Sequence, residues 1–251
     1  MRLLHVIGIG AGDPDQVTVA AVKAMNEVDV FVMIDKGSAK QELVDVRTRI
    51  LDEHVRRPHR VVEFVDPPRD RTPQDYDVAV DTWHDARARA LGDLLAAEPE
   101  DAVGGMLVWG DPSLYDSTLR VVDRVRGGLT DPFEVRVTPG VTSPSALAAA
   151  HGTVLNRVGE PVLTTTGRRL REDGVPDGVD AVVVMLDSDC GFLALPDWHV
   201  HWGANLGTPD AVIRAGLVSD VGDDIVRLRA DLRRRVGWVM DTYLVRRPSG
   251  R

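Results

Sequence analysis

The chain has 251 residues, 43% of them hydrophobic, and its 39 acidic and 30 basic side chains leave a formal charge of −9. That is enough apolar material for one large core or two modest ones, while the acidic balance argues against a nucleic-acid binder, which needs a basic stripe to neutralise phosphates. No apolar run approaches the roughly 18 residues of a membrane span, no signal-peptide pattern precedes the first strand-like segment, and the single cysteine leaves neither a disulfide framework nor a thiolate cluster.

The expectation is a soluble cytoplasmic protein with no metal site. Its seven histidines are scattered without an H-x-x-x-H pair, and His199 and His201 alternate as strand residues do. Cys190 reads as a small buried apolar residue. The arginine clusters at 47–60, 168–171 and 233–235 each read first as a solvated helix or loop face.

In chain order, Leu3-Leu4-His5-Val6-Ile7 is a short apolar run that breaks into Gly8-Ile9-Gly10-Ala11-Gly12-Asp13-Pro14, a strand feeding a glycine-rich turn. Apolar spacing of three and four then predicts a helix over 17–28, and Val30 to Ile34 reads as a buried strand ending at Asp35. The alternation continues with a helix near 39–54, a strand near 61–64, a helix near 74–97 and a strand over 103–109. Gly110-Asp111-Pro112-Ser113 forms a second turn, followed by a helix near 114–126 and a strand over 134–137. Pro139-Gly140 opens a third turn before an Ala-rich helix. This is the pattern of a mainly parallel α/β sheet, with three turns at strand C-terminal ends, where open sheets of this kind bind ligands.

From about Asn156 the texture changes. Strand-like segments at 161–165, 181–186, 199–203 and 238–245 and a helical pattern at 221–236 predict a second, smaller α/β domain, so the expected division is 1–156 and 157–251. The stretch from Arg168 to Gly178, charged and punctuated by Gly174, Pro176 and Gly178, reads as a loop.

Gly8-x-Gly10-x-Gly12 invites a dinucleotide reading with Asp35 as the ribose-binding acid, but the third glycine of G-x-G-x-x-G would fall at position 13, where this chain has an aspartate. An acid there serves a pyrophosphate badly. A ligand combining a cationic sulfonium with an amino-acid zwitterion suits loops that carry both backbone donors and the carboxylates Asp13 and Asp111, though composition alone does not select it from other small cations.

Three ordered segments resemble one family. Val6 to Pro14, Leu107-Val108-Trp109-Gly110-Asp111-Pro112-Ser113-Leu114-Tyr115 and Val137-Thr138-Pro139-Gly140-Val141-Thr142-Ser143 are similar to the three loops of the tetrapyrrole methylases. The resemblance implies two α/β domains with S-adenosylmethionine in the cleft between them. Implied cofactor contacts are Ala11, Trp109, Gly110, Asp111, Leu114, Thr142, Ser143, Met185, Gly207 and Thr208. Ala11 stands where many family members have proline, and Asp116 where they often have glycine.

Within the family the likeness is greatest to the branch that methylates C-1 of precorrin-5 and releases acetate. It rests on Asp35-Lys36-Gly37, Trp83-His84, the 202–210 segment and the 237–244 segment. Methyl transfer needs reactants held in a near-attack geometry, whereas acyl release also needs a placed water and a proton carrier. Asp35, His84, Asp111 and Tyr115 are the candidates for that role, each with a plainer reading as a strand-end cap, helix-face residue or turn stabiliser. Arg168, Arg169 and Arg171 are the candidate partners for substrate carboxylates. The resemblance further implies a homodimer. Methylation of another precorrin or of a protein side chain, as in diphthine synthesis, stays open, as does a noncatalytic tetrapyrrole-binding protein.

Overall fold

The computed structural model describes residues 1–35, 41–68, 75–130 and 132–248, with backbone only at 35, 41–45, 76 and 77. Two compact units divide it: residues 1–10 with 14–141, and residues 11–13 with 142–251.

The first unit alternates strands and helices: β1 (Leu3–Gly8), α1 (Val19–Met25), β2 (Val30–Asp35), α2 (Gln41–His54), β3 (Arg60–Val65), α3 (Tyr76–Ala96), β4 (Val103–Val108), α4 (Thr118–Gly127) and β5 (Glu134–Thr138). Its sheet runs β3-β2-β4-β1-β5, with every neighbour parallel. Every residue of β1 and β4 is buried, as expected of central strands covered on both faces. Alternate side chains of β1 serve opposite layers. Ile7 packs with Ala21, Met25, Ile50 and Leu51 from α1 and α2, while Leu4 and Val6 pack with Leu91, Leu95, Val121 and Val122 from α3 and α4. Each such fully buried aliphatic side chain contributes roughly 1.5–3 kcal/mol.

The register positions the site. Gly8 lies level with Val108, and Ile7 level with Thr138, so the chain leaves β1, β4 and β5 at one edge and the three turns emerge side by side.

The second unit holds α5 (Ser143–Ala150), β6 (Leu163–Thr166), α6 (Gly167–Asp173), β7 (Ala181–Met185), β8 (His199–Ala204), β9 (Val212–Leu217), α7 (Val218–Val236) and β10 (Asp241–Arg246). The sheet order is β6-β7-β10-β8-β9. Only β6 and β7 pair in parallel; the other neighbours are antiparallel. One face packs Val184, Val200, Trp202 and Tyr243 under Ile225 and Leu232 of α7. The opposite face packs Val183 and Leu244 under Ala146 and Leu147 of α5, with Ala11 and Leu206 in the same cluster.

Three local features depart from the sequence expectation. The stretch beginning at Arg168 opens as a helix, not a loop: Thr166 accepts the Arg169 amide at its start, Leu170 is buried, and Gly174 at φ +69 stops it. The glycines and proline beyond Asp173 dominate the local composition and conceal this helix of about two turns. Strand β9, Val212-Ile213-Arg214-Ala215-Gly216-Leu217, has no counterpart in the sequence expectation because it lies at the sheet edge, where alternation is weak. Helix α4 begins later than expected, because Tyr115 adopts φ +51 and Asp116 accepts the Thr118 amide at 2.6 Å.

Candidate active site

In the first unit the site is built mainly from backbone. Gly10 and Gly110 exchange hydrogen bonds, with the Gly10 amide donating at 3.2 Å and the Gly110 amide at 2.8 Å, which couples the first two turns. The third turn packs against both. A Cβ on Gly140 would lie 2.1 Å from the Gly110 carbonyl oxygen and 2.7 Å from the Gly8 carbonyl carbon, so glycine is obligatory there. Gly110 differs: it sits at φ +70, and a Cβ on it would meet nothing nearer than the Val141 carbonyl at 4.0 Å. The left-handed backbone suits glycine, and the space above it is open to a ligand.

Asp111 joins these turns. One carboxylate oxygen accepts the amide and hydroxyl of Ser113, and the other accepts the Gly140 amide at 2.9 Å. Burial opposes its ionisation, but the three donors outweigh burial and hold the carboxyl below its ordinary range. Both oxygens are thus engaged in shaping the loops. Arg47 supports the same edge, its Nε donating to the Leu107 carbonyl at 3.3 Å.

The other proton-carrier candidates occupy different surroundings. Tyr115 is 44% exposed, and partial desolvation raises its phenol above the ordinary value, so it remains a hydroxyl donor. His84 lies buried on α3 beside Trp83, their ring centroids 5.3 Å apart. Burial, then the charges of Arg124, Arg87 and Arg120, lower its pKa and keep it neutral. Asp35 closes β2, but its side chain falls outside the described residues, as do Lys36 and Gly37.

In the second unit, Thr142 caps α5 by accepting the Ser145 amide, and Ser143 is the first helical residue. Met185 ends β7 level with Thr166 and Thr242. Gly207, at φ +76, is required because a Cβ would lie 2.7 Å from the Asp13 amide nitrogen. Thr208 closes the following turn, its amide and hydroxyl both donating to the Asn205 carbonyl. Ala11 is buried within the core of this unit.

Asn205 was not singled out in the sequence. It adopts φ +49, its side-chain oxygen accepts the Met240 amide at 2.9 Å, and its buried Nδ2 donates to nothing among the described residues. A buried donor without a partner costs roughly 1–3 kcal/mol, which makes the turn from Asn205 to Thr208 a place where a polar ligand or water would be stabilising.

The three arginines proposed for substrate are distributed over α6. Arg168 pairs with Glu172 and Arg169 with Asp173, both four residues apart and exposed. Arg171 instead reaches the buried Asp187 at 2.5 Å and Asp189 at 3.0 Å.

Parallel β-α alternation, three coupled turns at one sheet edge and a second, mixed sheet define a class that comparison makes specific. The model of the Tetrapyrrole (Corrin/Porphyrin) Methylases matches residues 3–222, and the chain belongs to that family. A Precorrin-6A synthase [deacetylating] from Sinorhizobium sp is 44% identical over 251 residues, covering 98% of this chain and 96% of that protein. The crystal structure of a cobalamin synthesis related protein (CobF) from Corynebacterium diphtheriae superposes with a TM-score of 0.83 at 35% identity, covering 99% of this chain and all of that one. Uroporphyrin-III C-methyl transferase from Thermus thermophilus, complexed with S-adenosylhomocysteine, shares the fold at TM-score 0.60 and 21% identity, covering 98% and 92% of the two chains.

Proposed function

We propose that the protein transfers a methyl group from S-adenosylmethionine to C-1 of precorrin-5 and releases acetate, giving precorrin-6A in cobalamin biosynthesis. The observation that carries this reading is the 44% identity to a deacetylating precorrin-6A synthase across nearly the whole of both chains. The coupled glycine turns agree with it. In the balanced reaction a ring carbon attacks the sulfonium methyl, S-adenosylhomocysteine leaves, and water adds to the pendant acyl carbonyl so that acetate departs with the ring as leaving group.

Within this reading the cofactor contacts are Trp109, Gly110, Asp111 and Leu114 on the first unit, and Ala11, Thr142, Ser143, Met185, Gly207 and Thr208 on the second. At Asp111, Thr142 and Thr208 the side chains already hold the local turns, so we assign them to shaping the backbone that meets the ligand. Such pre-organisation can supply about 7–11 kcal/mol of a displacement barrier. Of the proton-carrier candidates with described side chains, Tyr115 is the exposed one, and we assign it the placement of water or substrate. Asp35 and His84 remain candidates for acyl release. Arg168 and Arg169 would exchange their exposed intrahelical partners for substrate carboxylates, an exchange that costs little because such surface pairs contribute only about 0.3–0.5 kcal/mol.

We also assign the protein to the cytoplasm as a homodimer. No helix among the described residues is long and apolar enough to cross a membrane. The decisive experiment is incubation with precorrin-5 and labelled S-adenosylmethionine, followed by mass analysis of tetrapyrrole and acid products. One acetate per methyl is expected. Methylated product with no acetate at any time would overturn the assignment and leave a methyltransferase acting at another position.

A further inference from the structure

The segment after β7 shows an unusual concentration of polar anchoring around one apolar residue. Leu186 leaves the strand at φ +54 and is 67% exposed. An exposed leucine by itself says little. A leucine in the left-handed region is different, because its Cβ crowds the following carbonyl and such residues persist only where surrounding structure over-determines them.

The structure shows what holds it. Asp187, the next residue, is buried and accepts four hydrogen bonds: from Arg171 Nη1 at 2.5 Å, the Gly191 amide at 2.6 Å, the Tyr243 hydroxyl at 2.7 Å and the Asp189 amide at 3.1 Å. Arg229 also donates to the carbonyls of Asp187 and Ser188 at 2.9 and 3.0 Å while its Nε engages Asp241. Gly167 is part of the same arrangement, since a Cβ there would lie 2.2 Å from the Asp187 carboxylate carbon. Residues of β10, α6 and α7 thus converge to fix a loop whose first residue presents an apolar side chain outward. That residue directly follows Met185, at the edge shared with the C-terminal ends of β6 and β8.

We propose that Leu186 is a ligand-contact residue, presenting its side chain beside Met185 to the apolar face of the adenosyl cofactor, and that Asp187 is the positioning residue that holds it in the left-handed conformation. The inference rests on the cofactor reading above and extends it to two residues outside the family loops. Glycine at 186 would satisfy the backbone without strain, so the presence of leucine is accounted for by its side chain.

The test is calorimetric binding of S-adenosylhomocysteine to the full chain together with thermal unfolding. Leu186→Gly should bind about tenfold more weakly, the cost of one lost apolar contact, with a melting temperature equal to or above that of the parent because strain is relieved. Leu186→Met should restore affinity to within about twofold of the parent. Asp187→Asn should weaken binding and lower the melting temperature, and the double variant Leu186→Gly/Asp187→Asn should bind no more weakly than the weaker single variant, since coupled residues are non-additive. Leu186→Gly with parental affinity would overturn the contact, and additive losses in the double variant would overturn the positioning role. A parent protein that binds no S-adenosylhomocysteine would bring down the cofactor reading itself, and this inference with it.

Discussion

The two units build the loops at their strand ends by opposite means. In the first, three turns meet through glycine backbone: Gly8, Gly110 and Gly140 approach within distances that exclude any Cβ at positions 8 and 140, and one carboxylate, Asp111, ties two turns together. In the second, side chains far apart in sequence converge on buried Asp187 and Asp241, drawing Arg171, Trp202, Arg229 and Tyr243 into one network. Where a Cβ would fall inside the contact, at positions 8 and 140, such packing tolerates no substitution. A side-chain network distributes its stability over many donors and makes it dependent on protonation.

The largest effect that would break this contrast is at Gly140. Gly140→Ala must push a Cβ against the Gly110 carbonyl and is expected to cost roughly 3 kcal/mol or more and to abolish cofactor binding. Gly110→Ala, strained by its positive φ but not crowded, should cost only about 1–2 kcal/mol. Urea unfolding of both variants checks the order. Gly110→Val should still lose S-adenosylhomocysteine in calorimetry, because the bulk enters the open space that the proposed function assigns to the cofactor.

A pH effect of nearly the same size belongs to the second unit. Burial first, then the neighbouring His151, Arg246 and His199, push His201 down to about 4, and its ring stacks edge-on to His151 at 5.2 Å. The unfolded chain binds this proton near pH 6.5, so the stability contributed is complete above that value and is lost as pH falls toward 4, by up to roughly 3 kcal/mol. Urea unfolding across this range should show the decline and His201→Gln should flatten it, with the ring titration of His201 followed by NMR as the direct check.

Tyr243→Phe sharpens the comparison at a smaller scale. Removing one charge-assisted donor from Asp187 should cost about 2 kcal/mol at pH 7. Burial alone would raise the Asp187 carboxyl, yet its donors hold it below the ordinary range. Its contribution is therefore complete above the usual carboxylate pKa and disappears as pH falls through the lower folded value. The stability gap between parent and variant should accordingly close in acid, which denaturant midpoints at successive pH values would reveal.

The smallest effect distinguishes the arginines of α6. Arg168→Ala and Arg169→Ala should each change stability by about 0.5 kcal/mol or less and raise the KM for the tetrapyrrole. Arg171→Ala should destabilise more, because Asp187 then keeps a buried charge with one donor fewer. Equal stability losses for all three would remove the distinction.

What was legible in the sequence follows from this division. The order of strands and helices in the first unit, the three turns and their family resemblance could be read directly, because a buried parallel strand is a continuous apolar run and a turn of positive φ needs glycine at a fixed position. The clamp role of Asp111 was only half legible: its place in the turn was evident, but its bond to Gly140 depends on β1 standing between β4 and β5. Leu186 and Asp187 carried no local signal, and Asn205 lay within the 202–210 segment with nothing to mark its spare donor. An asparagine with a spare buried donor, a leucine held at positive φ and an aspartate with four donors look ordinary along the chain, and α6 read as a loop because the charged pairs that stabilise it are as common in solvated segments. The amino-acid sequence by itself determined the local backbone, since dihedral preference and apolar periodicity act over a few residues. The tertiary structure alone decided which polar side chains meet, because that depends on sheet order and on contacts spanning tens of residues, such as Asp187 with Tyr243 across 56 positions.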